Sequence, residues 1–187
     1  AKSFKMIKKL LIIIFILFSF FNKANSAYDQ LAHEFNFERI EGGILNLNDY
    51  RNKVIVVVNV ASRCGFTNQY EDLQTLWSNY KEKDLVVLGV PTNNFKQEPG
   101  SNKEIKDFCE TNFNINFPMT KKIDVIGKNA HPFFNWAKDN HGKSAIPKWN
   151  FHKIVVGKDG KVADTFSSIT KPSSQRFINL IEKEIKN

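Results

Sequence analysis

The sequence predicts an α/β domain in which a central mixed β-sheet is flanked by helices and preceded by a β-hairpin. Three observations carry that reading. The run Val54-Ile55-Val56-Val57-Val58-Asn59-Val60 is almost wholly β-branched and apolar, as a strand covered on both faces must be. Leu73, Leu76, Trp77 and Tyr80 then recur at helical spacing, and a second apolar run, Leu85 to Val90, follows. Strand, helix and strand at this spacing form a βαβ unit, right-handed by default. Finally, Lys158-Asp159-Gly160 between Phe151–Val156 and Lys161–Phe166 marks an antiparallel hairpin.

The other elements follow in order. Phe35–Arg39 and Ile44–Leu47 flank Glu41-Gly42-Gly43, which reads as the N-terminal hairpin. Ser101 followed by Glu104 is a capping box for a helix running to about Glu110. His131-Pro132 opens another helix, proline being tolerated in a first turn. Pro172 is expected to open the last helix, with Phe177, Leu180, Ile181 and Ile185 on its apolar face. The order β-α-β, helix, β-β-α is the layout of a thioredoxin-like fold carrying an inserted helix and an N-terminal hairpin.

Length and composition agree with one domain. The chain has 187 residues, 42% of them hydrophobic, enough for a real core and too many for wholesale disorder. Its two cysteines exclude a disulfide-dense mini-protein. The formal charge of +8 suggests nucleic acid at first sight, but Lys2, Lys5, Lys8, Lys9 and Lys23 lie in residues 1–27 with no acid among them. Only +3 therefore belongs to residues 28–187. An apolar block from Leu10 to Leu17, continued to Phe21, follows the first lysines and is shorter than the roughly 20 residues of a comfortable membrane span. With small residues at Ala24, Ser26 and Ala27, residues 1–27 read as a secretory signal peptide, the alternative being a retained membrane anchor. The expectation is an exported domain, periplasmic or secreted, over 28–187, with no stable membrane contact once the leader is removed and no nucleic-acid partner.

The chemistry centres on Cys64, which follows the first buried strand and precedes the first helix. A thiol placed there meets free backbone N–H groups and the positive end of a helix dipole, both favouring thiolate. The other reading is a buried structural cysteine. A dithiol oxidoreductase would carry a second cysteine three residues on, where Thr67 stands. A peroxiredoxin would carry Thr or Ser three residues before and Pro seven before, where Ala61 and Val57 stand. The histidines His33, His131, His141 and His152 show no metal-ligand spacing and read as surface or hydrogen-bonded residues. No phosphate loop and no Ser-His-Asp signature occurs, and no cofactor or metal is expected.

Asn59-Val60-Ala61-Ser62-Arg63-Cys64-Gly65-Phe66-Thr67 resembles the active-site segment of the glutathione peroxidase family, with Cys64 where some members hold selenocysteine. Three further segments agree in the same order: Asn94–Asn102 (NFKQEPGSN), Phe108–Pro118 (FCETNFNINFP) and Lys148–Phe151 (KWNF). The resemblance implies a catalytic set of Cys64, Gln97, Trp149 and Asn150. Peroxide cleavage requires a thiolate to attack one oxygen while the other leaves, and the two amides and the indole are neutral donors suited to the sulfur and the developing oxyanion. Taken alone, Gln97 would pass for a solvated loop residue, Trp149 for a core or rim aromatic and Asn150 for a turn residue. The run Thr92-Asn93-Asn94-Phe95-Lys96 departs from the family's Cys-Asn-Gln-Phe-Gly, being one residue shorter before Gln97 and carrying Asn94 for a Gln.

Ile105, Phe108 and Cys109 recur at i, i+3, i+4, which puts Cys109 on the buried face of its helix. It reads as a small core residue or as half of a static disulfide with Cys64. The resemblance implies a third role, the resolving cysteine of thioredoxin-dependent, non-selenium members. On that reading Cys64 becomes a sulfenic acid, Cys109 condenses with it, and a thioredoxin-like dithiol or glutathione reduces the disulfide. Because Cys109 starts buried, its helix must partly unwind during the cycle. The resemblance further implies a monomer with an open site, since Asn135–Lys148 lacks the long insertion of tetrameric relatives. Hydrogen peroxide and organic or lipid hydroperoxides are the expected substrates. A peroxide-sensing relay, passing the disulfide to a partner protein, uses the same two cysteines.

Overall fold

Strand β3 (Val54–Val60) runs through the middle of the domain with every residue buried, in a computed structural model that describes residues 28–187. The leader expected over residues 1–27 lies outside the described residues. β4 (Leu85–Pro91) pairs with β3 in parallel, from Val54 opposite Leu85 to Val60 opposite Pro91. On its other side β3 pairs antiparallel with β5 (Lys153–Val156), and β5 with β6 (Val162–Phe166), giving the order β4-β3-β5-β6. The hairpin strands β1 (Asn36–Glu38) and β2 (Ile44–Asn46) form a separate two-stranded sheet.

Alternation along the strands divides the core in two. Val54, Val56, Val58 and Val60 face α1 (Gln69–Tyr80), α2 (Asn102–Phe113) and α4 (Gln175–Lys186), packing with Tyr70, Leu73, Ile105, Cys109, Phe177 and Ile181. Ile55 and Val57 face α3 (Pro132–His141) and the hairpin, packing with Phe133, Trp136, Phe37 and Leu45. Each such fully buried side chain contributes roughly 1.5–3 kcal/mol of hydrophobic stabilisation. A strand that is apolar on both faces therefore holds the two layers together.

The caps form as the sequence predicts. Ser101 and Glu104 make the reciprocal capping box of α2, and the His131 side chain accepts the Phe133 N–H at the start of α3. Four boundaries differ. α2 runs on to Phe113, where Asn114 in the left-handed conformation (φ 50°) stops it. The last helix begins at Gln175 rather than Pro172: Ser174 is its N-cap, and its carbonyl accepts the first helical bond from Ile178 at 3.0 Å. Each hairpin strand is only three residues long. β5 starts at Lys153 rather than Phe151, because Phe151 adopts φ 63°, so the chain turns before it enters the ladder. Gly89 in β4 is where segment 117–120 crosses; a Cβ there would stand 3.0 Å from the Phe117 ring.

Candidate active site

The polypeptide between β3 and α1 is a run of turns, and Cys64 sits in it half-buried. α1 begins only at Gln69, so the expectation that Cys64 lies at the helix mouth needs adjusting by about one turn. The donor aimed at the sulfur is a turn amide: Phe66 N–H points to Cys64 Sγ at 3.4 Å. Thr67 tightens this turn. Its Oγ1 accepts the Cys64 N–H at 3.1 Å and lies 2.7 Å from the Cys64 carbonyl oxygen.

Two further loops come to the same end of the sheet. The Arg63 N–H donates to the Gln97 carbonyl at 3.0 Å, joining the loop after β3 to the loop after β4. Glu98 makes the same connection from its side chain. It is 1% exposed, and one carboxylate oxygen accepts both the Ser62 N–H (2.7 Å) and the Ser62 Oγ–H (2.9 Å). Burial raises the Glu98 carboxyl above its usual range, while the Ser62 donors work against that shift.

The third loop, which precedes β5, is clasped by Asn59, a buried polar residue in an otherwise apolar strand. Asn59 Nδ2 donates to the Trp149 carbonyl at 3.1 Å, and Asn59 Oδ1 accepts the His152 N–H at 3.2 Å. Its own carbonyl accepts the Phe151 N–H at 2.6 Å. These bonds impose the left-handed turn at Phe151 and swing Asn150 inward. Asn150 is fully buried, its Nδ2 donates to Gln97 Oε1 at 2.9 Å, and its Oδ1 has no partner among the described residues. Trp149 lies at the surface, 40% exposed, with its ring 5.5 Å from that of Phe95.

Of the residues singled out from sequence, Gln97 and Asn150 are therefore in direct contact. Cys64 joins them through the backbone of its own loop, and Trp149 forms a rim with Phe95. The shortened run before Gln97 closes by a left-handed Lys96 (φ 58°), whose N–H bonds the Asn93 carbonyl at 2.9 Å. Asn94 anchors the same loop, its Oδ1 accepting the Val125 N–H at 2.7 Å and its Nδ2 donating to Asp124 Oδ1 at 2.8 Å. Glu98 and Asn59 fall inside the family segments, where neither was given a role of its own. The signals were there, a carboxylate beside Gln97 and a lone polar residue in a β-branched run.

Cys109 lies on the inward face of α2, 0% exposed, and both cysteines are free thiols. Burial pushes its thiol up to about 11. Two of the four histidines depart from expectation. His33 and His152 are buried, both ring nitrogens of His33 and Nε2 of His152 have no partner among the described residues, and burial lowers both, His152 to about 4. His131 is satisfied as foreseen, its Nε2 lying 2.9 Å from the Asn36 carbonyl oxygen, and His141 lies partly exposed. Among the described residues no three His, Cys, Asp or Glu side chains gather as a metal ion would need.

Comparison with known proteins places the chain in a family. Residues 32–138 match the family described as "Glutathione peroxidase". A glutathione peroxidase-like peroxiredoxin of Saccharomyces cerevisiae is 44% identical over 162 residues, covering 83% of this chain and 93% of its own. A hydroperoxy fatty acid reductase of Synechocystis sp. is 42% identical over 147 residues, covering 74% of this chain and 87% of its own. Among solved structures, a thiol:disulfide interchange protein of the thioredoxin family from Chlorobium tepidum superposes with a TM-score of 0.64 at 13% identity, over 86% of this chain and 99% of that one. That likeness shows the thioredoxin fold alone.

Proposed function

The chain belongs to the glutathione peroxidase family and is a peroxidase of that family, and from this premise we propose that it reduces hydroperoxides by a two-cysteine cycle. Cys64 attacks one peroxide oxygen and becomes a sulfenic acid, while the other oxygen leaves as water or alcohol. Cys109 then condenses with it to a disulfide, which a thioredoxin-like dithiol reduces; glutathione is the competing reductant. The observation that carries the reading is the convergence of Gln97 and buried Asn150, through a 2.9 Å hydrogen bond, on the loop that bears Cys64. Asn150, fully buried, orients the Gln97 side chain from behind through that bond. The Gln97 amide and the Trp149 indole are donors for the departing oxygen.

Lipid hydroperoxides belong to the same proposal. The rim carries the partly exposed Trp149 beside Phe95, an apolar surface on which an acyl chain can rest. Export of the domain and a monomeric state are further parts of the reading, and sedimentation as a stable tetramer would contradict the latter.

Mass spectrometry after one equivalent of peroxide tests the cycle. A new Cys64–Cys109 disulfide is expected in the wild type, and accumulation of sulfenic acid in Cys109→Ser. Cys64→Ser is expected to consume no peroxide. Steady-state turnover with thioredoxin against turnover with glutathione identifies the reductant. Absence of the disulfide would remove Cys109 from the cycle.

A further inference from the structure

Lys153, the first residue of β5, has no exposed surface, and the two-cysteine chemistry leaves it without a part. A buried amine is tolerated only where it finds hydrogen-bond acceptors. Its Nζ donates to Gln69 Oε1 at 2.5 Å and to the Thr170 carbonyl at 2.6 Å. Gln69 is buried too, and its Nε2 donates to the Ser168 carbonyl at 2.7 Å. The start of β5, the start of α1 and the loop after β6 thus close on one clamp.

The clamp joins the two halves of the site. Lys153 follows Asn150 by three residues, and the stretch between them is fixed to Asn59 through the Phe151 and His152 N–H groups, at 2.6 and 3.2 Å. Gln69 follows Cys64 by five. Its backbone N–H donates to the Phe66 carbonyl at 2.9 Å, and the Phe66 N–H is the donor aimed at Cys64 Sγ. The Tyr70 N–H holds the Thr67 carbonyl at 3.0 Å in the same way. Ser62 and Arg63 fasten the chain before Cys64 to the Gln97 loop. The clamp fastens the chain after Cys64 to the strand that follows Asn150.

We propose that Lys153, acting through Gln69, is a positioning residue for peroxide cleavage, keeping the Cys64 sulfur aligned with the Gln97–Asn150 pair. The inference rests on Cys64 as the attacking thiolate and is independent of the role of Cys109.

In that step the sulfur gives two electrons to one peroxide oxygen. The S–O bond forms as the O–O bond breaks, and the departing oxygen takes up a proton and leaves as water or alcohol. Nucleophile and donors must stand in line across that bond, and a displacement of about 1 Å costs on the order of 100-fold in rate. Lys153 transfers no proton; its part is to hold the turn that carries the sulfur.

Two rate constants at Cys64, followed by rapid-quench mass spectrometry at a single pH, test the clamp. Hydrogen peroxide and iodoacetamide both consume the thiolate, but only peroxide cleavage needs donors for a departing oxygen. Their ratio therefore reports alignment and cancels any change in the thiolate fraction. Lys153→Met and Gln69→Met are each expected to lower the ratio by about 10- to 100-fold. The double variant is expected to fall no further, since both changes break one link. Val155→Ala loosens the same strand without touching the clamp and is expected to keep the wild-type ratio. Where Lys153→Met fails to fold, Gln69→Met decides alone. An unchanged ratio in a folded clamp variant overturns the role of Lys153 and leaves the peroxidase reading standing. An equal fall in Val155→Ala would mark general loosening and overturn it too, as would a double variant that falls by the product of the singles. A wild type whose Cys64 does not react with peroxide overturns the peroxidase reading and this inference together.

Discussion

Asn150 and Gln97, 53 positions apart in the chain, share a hydrogen bond of 2.9 Å from Nδ2 to Oε1. The bond spends one Asn150 donor on orienting Gln97, so the Gln97 amide N–H2 is turned away from Asn150. Each side chain thus fixes the other, and on the roles proposed for them their contributions to the reaction are expected to be coupled.

A double-mutant cycle measures that coupling. Asn150→Ala and Gln97→Ala are each expected to lower kcat/KM by about 100- to 1000-fold, the range for loss of a preorganised donor. The double variant is expected to fall short of the sum by about 0.5–3 kcal/mol. Strict additivity in steady-state peroxidase assays would show that the bond does not serve catalysis.

Glu98 ties the Cys64 loop to the Gln97 loop through Ser62. Glu98→Ala leaves the Ser62 N–H and hydroxyl without their acceptor, at a cost of about 1–3 kcal/mol in stability. A fall in kcat/KM of about tenfold or more is expected alongside, with Glu98→Gln recovering part of it by keeping one acceptor oxygen. Thermal melts and peroxide kinetics on the same preparations check both effects.

His152 is held neutral, its value lowered from 6.5 to about 4 chiefly by burial. The unfolded chain therefore binds this proton at a higher pH than the folded one. The associated stability is present above about pH 6.5 and lost as pH falls toward 4, by at most about 1.4 kcal/mol per pH unit. Urea midpoints at neutral and mildly acidic pH are expected to fall less in His152→Met than in the wild type. An identical fall in both would remove His152 as a cause.

Lys153 titrates in the opposite region. Buried in β5, it donates to Gln69 Oε1 at 2.5 Å and to the Thr170 carbonyl at 2.6 Å, and burial lowers it from 10.5 to about 7. Between those values the unfolded chain holds the proton and the folded one does not, so its contribution to stability grows as pH rises from 7 toward 10.5. Lys153→Met orphans both acceptors and is expected to destabilise by about 2 kcal/mol at alkaline pH. The gap to wild type should narrow toward neutrality; a gap independent of pH would mean that the lysine is charged throughout.

The regular elements were legible because each rests on a local rule. Uniform β-branching marks β3, helical spacing marks α1, and Ser101 with Glu104 marks the start of α2. Two starting points were misjudged, one where a long-range clasp outweighs the local pattern and one where the first helical bond forms two residues later than the proline suggested. The Asn59 clasp keeps Phe151 out of β5, and the carbonyl of Ser174, not Pro172, starts α4. Lys153 passed unseen inside an apolar run, because the acceptors that make its burial tolerable come from α1 and from the loop after β6.

By itself the sequence determined the sheet-and-helix order, the two cysteines with their local surroundings, and the motifs that join the chain to its family. Only the tertiary structure decided that Asn150 faces Gln97, that Glu98 binds the Cys64 loop, and that Cys109 is sealed in the core with no exposed surface. The reason is physical. Hydrophobic period and capping are properties of neighbours along the chain, whereas a hydrogen bond across 36 or 53 residues exists only once burial removes the competing water.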